Sequence, residues 1–159
     1  MFENNLFKNN KSIALIDASK NETFTYSETK SFKSKFEKNF KNKSLVLLLT
    51  SNSIFSILSY VTLMATNKKI ILLLINEDIK EKFIKKIIRI YGPNYILTSK
   101  KLNVKKYIIK KKYENYLLLE NKLINNKDLN FINKLLIYTS GTTGNPKMVR
   151  LSLQNLNEN

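Results

Sequence analysis

One stretch of this chain gathers the residue types that hold a highly charged ligand. Thr139-Ser140-Gly141-Thr142-Thr143-Gly144-Asn145-Pro146-Lys147 combines four hydroxyl side chains, two of the chain's three glycines and a lysine. Gly141 and Gly144 permit backbone angles closed to other residues. They let main-chain N–H groups approach a phosphate as a concave nest of donors. Thr139, Ser140, Thr142 and Thr143 add hydroxyl donors, and Lys147 adds a full positive charge. Hydrogen bonds to a charged group contribute roughly 1.5–3 kcal/mol each, so several convergent donors suffice for a triphosphate. Pro146 stiffens the exit by fixing one backbone angle. The same composition also suits a flexible Ser/Thr/Gly linker, and loop chemistry alone leaves both readings open. Two other phosphate or nucleophile patterns fit poorly. A Walker loop sets its lysine directly after the second glycine, whereas Asn145 and Pro146 intervene here. Ser140 lacks the glycine two positions before it that a nucleophile elbow carries, and the chain has no histidine to activate it.

Such a loop must be held by the elements on either side. Leu135-Leu136-Ile137-Tyr138 reads as a strand running into it, and Met148-Val149-Arg150-Leu151-Ser152 as a second strand leaving it. Ser152 then caps a helix starting near Leu153. Upstream, Ser12–Asp17 and Glu22–Tyr26 suit two strands, plausible hairpin partners, and Ser27 with Lys30 and Ser31 opens a helical stretch. Phe32, Phe36 and Phe40 recur every four residues, which predicts one helix face turned to the core. Leu45–Leu49 is a short strand apolar on both faces. Ser51 or Ser53 is an N-cap for a helix over Ile54–Thr66. Ile70–Ile75 is another buried strand. Asp78–Tyr91 has helical spacing and stops at Gly92-Pro93. Tyr95–Thr98 is a strand, with further strands expected over Val104–Ile109 and Tyr116–Leu119, and Asn121–Asn130 is a polar connector. Alternating strands and helices predict an α/β fold of layered βαβ units with a mainly parallel sheet and right-handed crossovers.

The run Tyr138–Lys147 resembles the phosphate-binding loop of the adenylate-forming (AMP-binding) superfamily, the group of acyl-CoA synthetases, luciferases and peptide-synthetase adenylation domains. Ten residues match without a gap, and Leu151, Ser152, Asn155 and Leu156 fit the usual continuation. Earlier, Ala14-Leu15-Ile16 followed by Phe24-Thr25-Tyr26 resembles the family's early strand and Thr-Tyr start of a helix, and Leu45–Leu49 followed by Asn52-Ser53 resembles a strand and the Asn-Ser turn after it. The resemblance implies that residues 1–159 are the N-terminal portion of an AMP-dependent synthetase/ligase domain. That enzyme would join ATP and a carboxylic acid into an acyl-adenylate, then transfer the acyl group to CoA or to the phosphopantetheine of an acyl carrier protein. It implies that Thr139, Ser140, Gly141, Thr142, Thr143, Gly144 and Lys147 clamp the β- and γ-phosphates, with Mg²⁺ accompanying the nucleotide. It places no catalytic residue and no metal ligand in this stretch. Met148 stands where the family usually has glycine, and Leu153 where a histidine is common. The family's Mg²⁺-binding glutamate, ribose-binding aspartate and catalytic lysine have no counterpart in these residues. The piece alone is therefore expected to be inactive, and a non-catalytic remnant keeping an anion-binding loop is the alternative.

The chain has 159 residues, no cysteine and no histidine. Disulfides, Cys/His metal sites and histidine-dependent nucleophiles are excluded, while carboxylates remain as oxygen ligands for Mg²⁺. Freedom from cysteine fits a reducing cytoplasm. The formal charge of +16 invites a nucleic-acid module, but only Arg89 and Arg150 among the 28 basic residues are arginine. Bidentate readers of phosphates and base edges lean on arginine, so no specific nucleic acid is expected. Lysines scattered among asparagines and isoleucines read instead as AT-rich codon usage, and the run Lys105–Lys112 as a solvated face. Ser44–Asn67 carries no charge and is long enough to span a bilayer, yet Thr50-Ser51-Asn52-Ser53 interrupts it; strand then helix is the reading, with no membrane span. The polar N-terminus is not a signal peptide.

Overall fold

The computed structural model describes Phe7 and residues 10–124, 133–139 and 147–158. The chain divides into two compact units, one drawn from Met1–Lys41 with Asn52–Lys68, the other from Asn42–Ser51 with Lys69–Asn159.

In the first unit, β1 (Ile13–Asp17) and β2 (Glu22–Thr25) form an antiparallel hairpin with Leu15 opposite Phe24 and Asp17 opposite Glu22. The side chain of Ser19 donates to the Asp17 carboxylate, as do the Ser19 and Lys20 N–H groups; these bonds, the Ser19 hydroxyl foremost, hold its pKa below the ordinary value. Helix α1 (Tyr26–Phe36) starts earlier than the expected opening at Ser27. The reason is local. Thr25 is the N-cap, and Glu28, three residues on, completes a capping box: its carboxylate accepts from Thr25 N–H at 2.7 Å, while Thr25 Oγ1 accepts from Glu28 N–H at 3.3 Å. The phenylalanine row is only partly helical. Phe32 and Phe36 stack with centroids 4.9 Å apart, but the helix tightens into a 3₁₀ turn at Glu37–Asn39, and Phe40 follows in extended backbone. Phe40 remains buried and sits 5.1 Å from the Phe36 ring. Phe55 of α2 (Ile54–Met64) meets both Phe32 and Phe36 edge-on, so the row is core, as its spacing suggests. Lys68 closes the unit by donating to the carbonyls of Glu37 and Phe40 at 2.7 and 2.6 Å. Ser53 is the N-cap of α2, its hydroxyl accepting from Ser56 N–H at 3.2 Å. The uncharged stretch is thus strand, turn and helix, and no helix among the described residues is long and apolar enough to cross a membrane.

The second unit is a seven-stranded sheet. Its strands are β3 (Ser44–Thr50), β4 (Ile70–Asn76), β5 (Tyr95–Thr98), β6 (Ile108–Lys112), β7 (Leu117–Glu120), β8 (Asn133–Thr139) and β9 (Lys147–Ser152), in the order β6-β7-β5-β3-β4-β8-β9. The centre β5-β3-β4-β8 is parallel; β7 and β6 on one flank and β9 on the other are antiparallel. The α/β class and the parallel centre follow the sequence reading. The antiparallel flanks are the addition, and they arise because short connections return the chain without a crossover. Continuous apolar runs build the middle: Ser44–Leu49 are all buried. Leu45, Leu47 and Leu49 share one face with Ile71, Leu73, Ile75 and Ile96, where Ile84 and Ile87 of α3 (Glu81–Tyr91) cover them. Helix α3 begins later than Asp78 because the Asn76 side chain accepts from Asp78 N–H at 2.8 Å and holds a turn there. It ends at Gly92, left-handed at φ 52, with Gly92 N–H donating to Ile88 O at 3.0 Å.

The strand expected over Val104–Ile109 lies instead at Ile108–Lys112, inside the lysine run. Val104–Tyr107 form a turn (Tyr107 N–H to Val104 O, 3.1 Å), and pairing of Ile108 with Glu120 and Lys112 with Leu117 sets the register. All five residues are exposed, which suits an edge strand guarded by lysine. Lys110 reaches buried Glu120 at 3.1 Å. Beside it, the Tyr107 hydroxyl donates to Pro93 O at 2.6 Å, and burial pushes that phenol up to about 12.

Two outcomes follow from these contacts. A Cβ on Gly92 would meet only Ile124 Cδ1, at an ordinary 3.6 Å, so Gly92→Ala should cost about 1 kcal/mol through the left-handed backbone alone, read as a lower denaturation midpoint at unchanged slope. A folded-state pKa above the ordinary 10 favours the neutral phenol. Tyr107 therefore contributes stability that is whole below pH 10 and lost as pH rises towards about 12. Denaturation midpoints should fall across that window, and Tyr107→Phe should shallow the fall.

Candidate functional site

In the parallel centre every strand delivers its last residue to the same edge. Thr50 lies opposite Asn76 at the ends of β3 and β4, and Thr98 closes β5. In open α/β sheets ligands bind at this carboxyl edge. Polar side chains collect there as soon as the apolar runs stop. Glu77 N–H donates to Thr50 O at 3.0 Å, and Thr50 Oγ1 to Ile75 O at 3.2 Å. The Ser99 hydroxyl donates to the Glu77 carboxylate. Lys100 donates to Glu77 O and stands 3.8 Å from an Asp78 oxygen, tying the exits of β4 and β5 together. Ser51 Oγ and the buried Tyr116 hydroxyl are 2.6 Å apart, with Tyr116 also 3.4 Å from Leu49 O. Sequence reading singled out none of Glu77, Lys100 and Tyr116 for this edge. The available signal was the polar triplet Asn76-Glu77-Asp78 directly after an apolar run.

The candidate loop springs from the same edge. β8 lies parallel to β4, with Leu72, Leu73 and Leu74 opposite Leu135, Leu136 and Ile137. β9 folds back antiparallel, pairing Ile137 with Val149, Tyr138 with Met148 and Thr139 with Lys147. Thr139 and Lys147, the first and last of the candidate phosphate-binding residues, therefore face each other across the hairpin. Thr139 is exposed. Ser140, Gly141, Thr142, Thr143 and Gly144 lie outside the described residues, as does the Lys147 side chain. Ser152 ends the hairpin as the expected cap of α4 (Leu153–Asn157), in a capping box with Asn155 at 3.0 and 3.2 Å.

The same fold recurs in solved structures. The N-terminal subdomain of Klebsiella oxytoca NpsA in complex with 3-hydroxybenzoyl-AMSN is similar over 89% of this chain and 37% of its own, at TM-score 0.58 and 18% identity. O-succinylbenzoate coenzyme A synthetase (MenE) from Bacillus subtilis, in complex with AMP, is similar over 89% of this chain and 39% of its own, at TM-score 0.56 and 17% identity. This chain has the fold of part of the N-terminal domain of adenylate-forming enzymes. A luciferase-like enzyme from the nonluminescent mealworm Zophobas morio shares it at TM-score 0.55 and 14% identity, over 88% of this chain and 39% of its own. The chain thus spans under two-fifths of the length of these proteins. No family profile and no curated protein matches it. Among the described residues, no three Asp, Glu, His or Cys side chains cluster as metal ligands.

Tyr116→Phe removes the hydroxyl that meets Ser51 at the end of β3 and leaves the ring in place. It should lower stability by about 1 kcal/mol in chemical denaturation. Tyr116→Phe combined with Ser51→Ala should cost less than the sum of the two single substitutions, since the pair shares one interaction.

Proposed function

We propose that this chain is the N-terminal portion of an AMP-dependent synthetase/ligase domain. In the complete protein, its Thr139–Lys147 loop holds the β- and γ-phosphates of ATP while a carboxylic acid is converted to an acyl-adenylate. The observation that carries the proposal is the β8–β9 register, which sets Thr139 opposite Lys147 at the carboxyl edge of a parallel sheet. The relatives in fold support it: NpsA is solved with an acyl-AMSN and MenE with AMP.

The donor set suits a polyphosphate. Hydroxyls of Thr139, Ser140, Thr142 and Thr143, main-chain N–H groups at Gly141 and Gly144, and the Lys147 ammonium are all donors. Their part in the reaction is positioning and stabilisation of the charge that builds on departing pyrophosphate. The loop's residues are assigned to the nucleotide's phosphates. Mg²⁺, when bound, neutralises phosphate charge. The thiol acceptor, CoA or the phosphopantetheine of an acyl carrier protein, and a cytoplasmic setting belong to the same proposal.

Lys147→Ala in the complete enzyme should slow ATP–pyrophosphate exchange by about 10- to 100-fold, the loss of one charge-assisted contact to the phosphates. An exchange rate equal to the wild type would remove Lys147 from this role.

A further inference from the structure

The opposite edge of the sheet carries a second feature that the phosphate loop does not use. A cavity of about 600 Å³ opens where α3 ends and β5 begins, away from the β8–β9 loop. Its volume lies in the range of small-molecule pockets. The apolar lining comes from Ile88, Val104 and Ile124, and the cationic lining from Lys85, Arg89, Lys105 and Lys106. No carboxylate is among the described lining residues. Lys85 is engaged by Glu81 at 2.8 Å, whereas Arg89, Lys105 and Lys106 have no ion pair among the described residues. Arg89 is one of only two arginines in a chain whose other basic residues are lysines, so codon bias towards lysine does not account for it.

The frame around the cavity is built by fixed contacts. Tyr107 donates to Pro93 O, Asn121 N–H donates to Asn94 O at 2.9 Å, and the Asn121 side chain accepts from Leu123 N–H at 3.1 Å. Gly92 supplies a wall without a side chain. Apolar surface beneath uncompensated positive charge complements a ligand with the reverse pairing.

We propose that this cavity binds a small amphipathic organic anion, its apolar body against Ile88, Val104 and Ile124 and its anionic head towards Arg89, Lys105 and Lys106. The inference does not depend on the role of the phosphate loop. Decanoate below its micelle concentration, titrated into ¹⁵N-labelled protein, is the probe. Saturable shifts at Arg89, Gly92, Lys106 and Tyr107 are expected, with decanol and inorganic phosphate each binding more than about tenfold weaker, because each lacks one half of the pairing. Arg89→Gln with Lys106→Gln, both exposed, should weaken decanoate about fivefold or more. Lys111→Gln with Lys112→Gln removes the same charge outside the cavity and should leave affinity unchanged. Equal weakening by the two pairs, decanol binding as tightly as decanoate, or shifts spread over the lysine-rich surface would each overturn the proposal.

Discussion

The structure depends on one strand that never meets water. Ser44–Leu49 of β3 are buried without interruption, and both edges of the strand are occupied by parallel neighbours, β4 and β5. A strand so placed must be apolar on both faces, and its backbone groups must all find partners in the ladder. Where the ladder begins, Asn94 replaces it. Its main-chain N–H donates to Leu45 O at 2.8 Å, its side-chain oxygen accepts from Leu45 N–H at 2.9 Å, and its amide donates to Ile124 O at 3.1 Å. One residue thus aligns β3, the entry to β5 and the exit of β7. The parallel register that results delivers every central strand end to a single edge.

The flanks answer a different constraint. A parallel centre leaves two open edges, each a template for further pairing. On one side β6 closes the sheet with exposed residues, three of them lysine; on the other β9 closes it with Val149 turned outwards and Arg150 exposed. Part of the chain's large positive charge therefore has a structural use. A nucleic-acid role is not needed to account for the lysines of β6.

How much was legible in the sequence follows the range of each interaction. β3, β4 and the stop at Gly92 were readable because continuous burial and a left-handed cap leave marks in consecutive residues. Ser53 was readable for the same reason. The residue pattern of Glu22–Tyr26 prolongs the strand past the Thr25–Glu28 capping box, whereas the family resemblance reads Thr25-Tyr26 as a helix start, which is where α1 begins. β6 was misplaced because its register comes from pairing with β7, which no local pattern in Val104–Ile109 reports. Phe40 kept its place in the core while leaving the helix, since spacing of four reports a shared neighbour as readily as a shared helix. The candidate loop was legible through local chemistry. Glu77, Lys100 and Tyr116 were not, because their partners at the edge lie 22 or more residues away and only the fold brings them together.

The hairpin also sets the two ends of the candidate loop level with each other, Thr139 at the end of β8 opposite Lys147 at the start of β9. A strand followed by a parallel crossover would carry the chain across the sheet, and its next charged side chain would re-enter at the far edge. β9 instead runs back beside β8, so the residue that starts β9 is necessarily level with the one that ends β8. β8 is in turn anchored to β4 by Leu135 and Leu136, both buried, while β9 contributes no buried residue to the core cluster. The inner strand thus sets position, and the outer strand returns the chain to Lys147's level while packing half-buried Met148 against the core. Phosphate binding by convergent donors needs that convergence more than it needs any single donor, because each hydrogen bond is modest and only their sum holds a triphosphate. The antiparallel edge is therefore the part of the fold that turns a Ser/Thr/Gly-rich run from a linker into a candidate site.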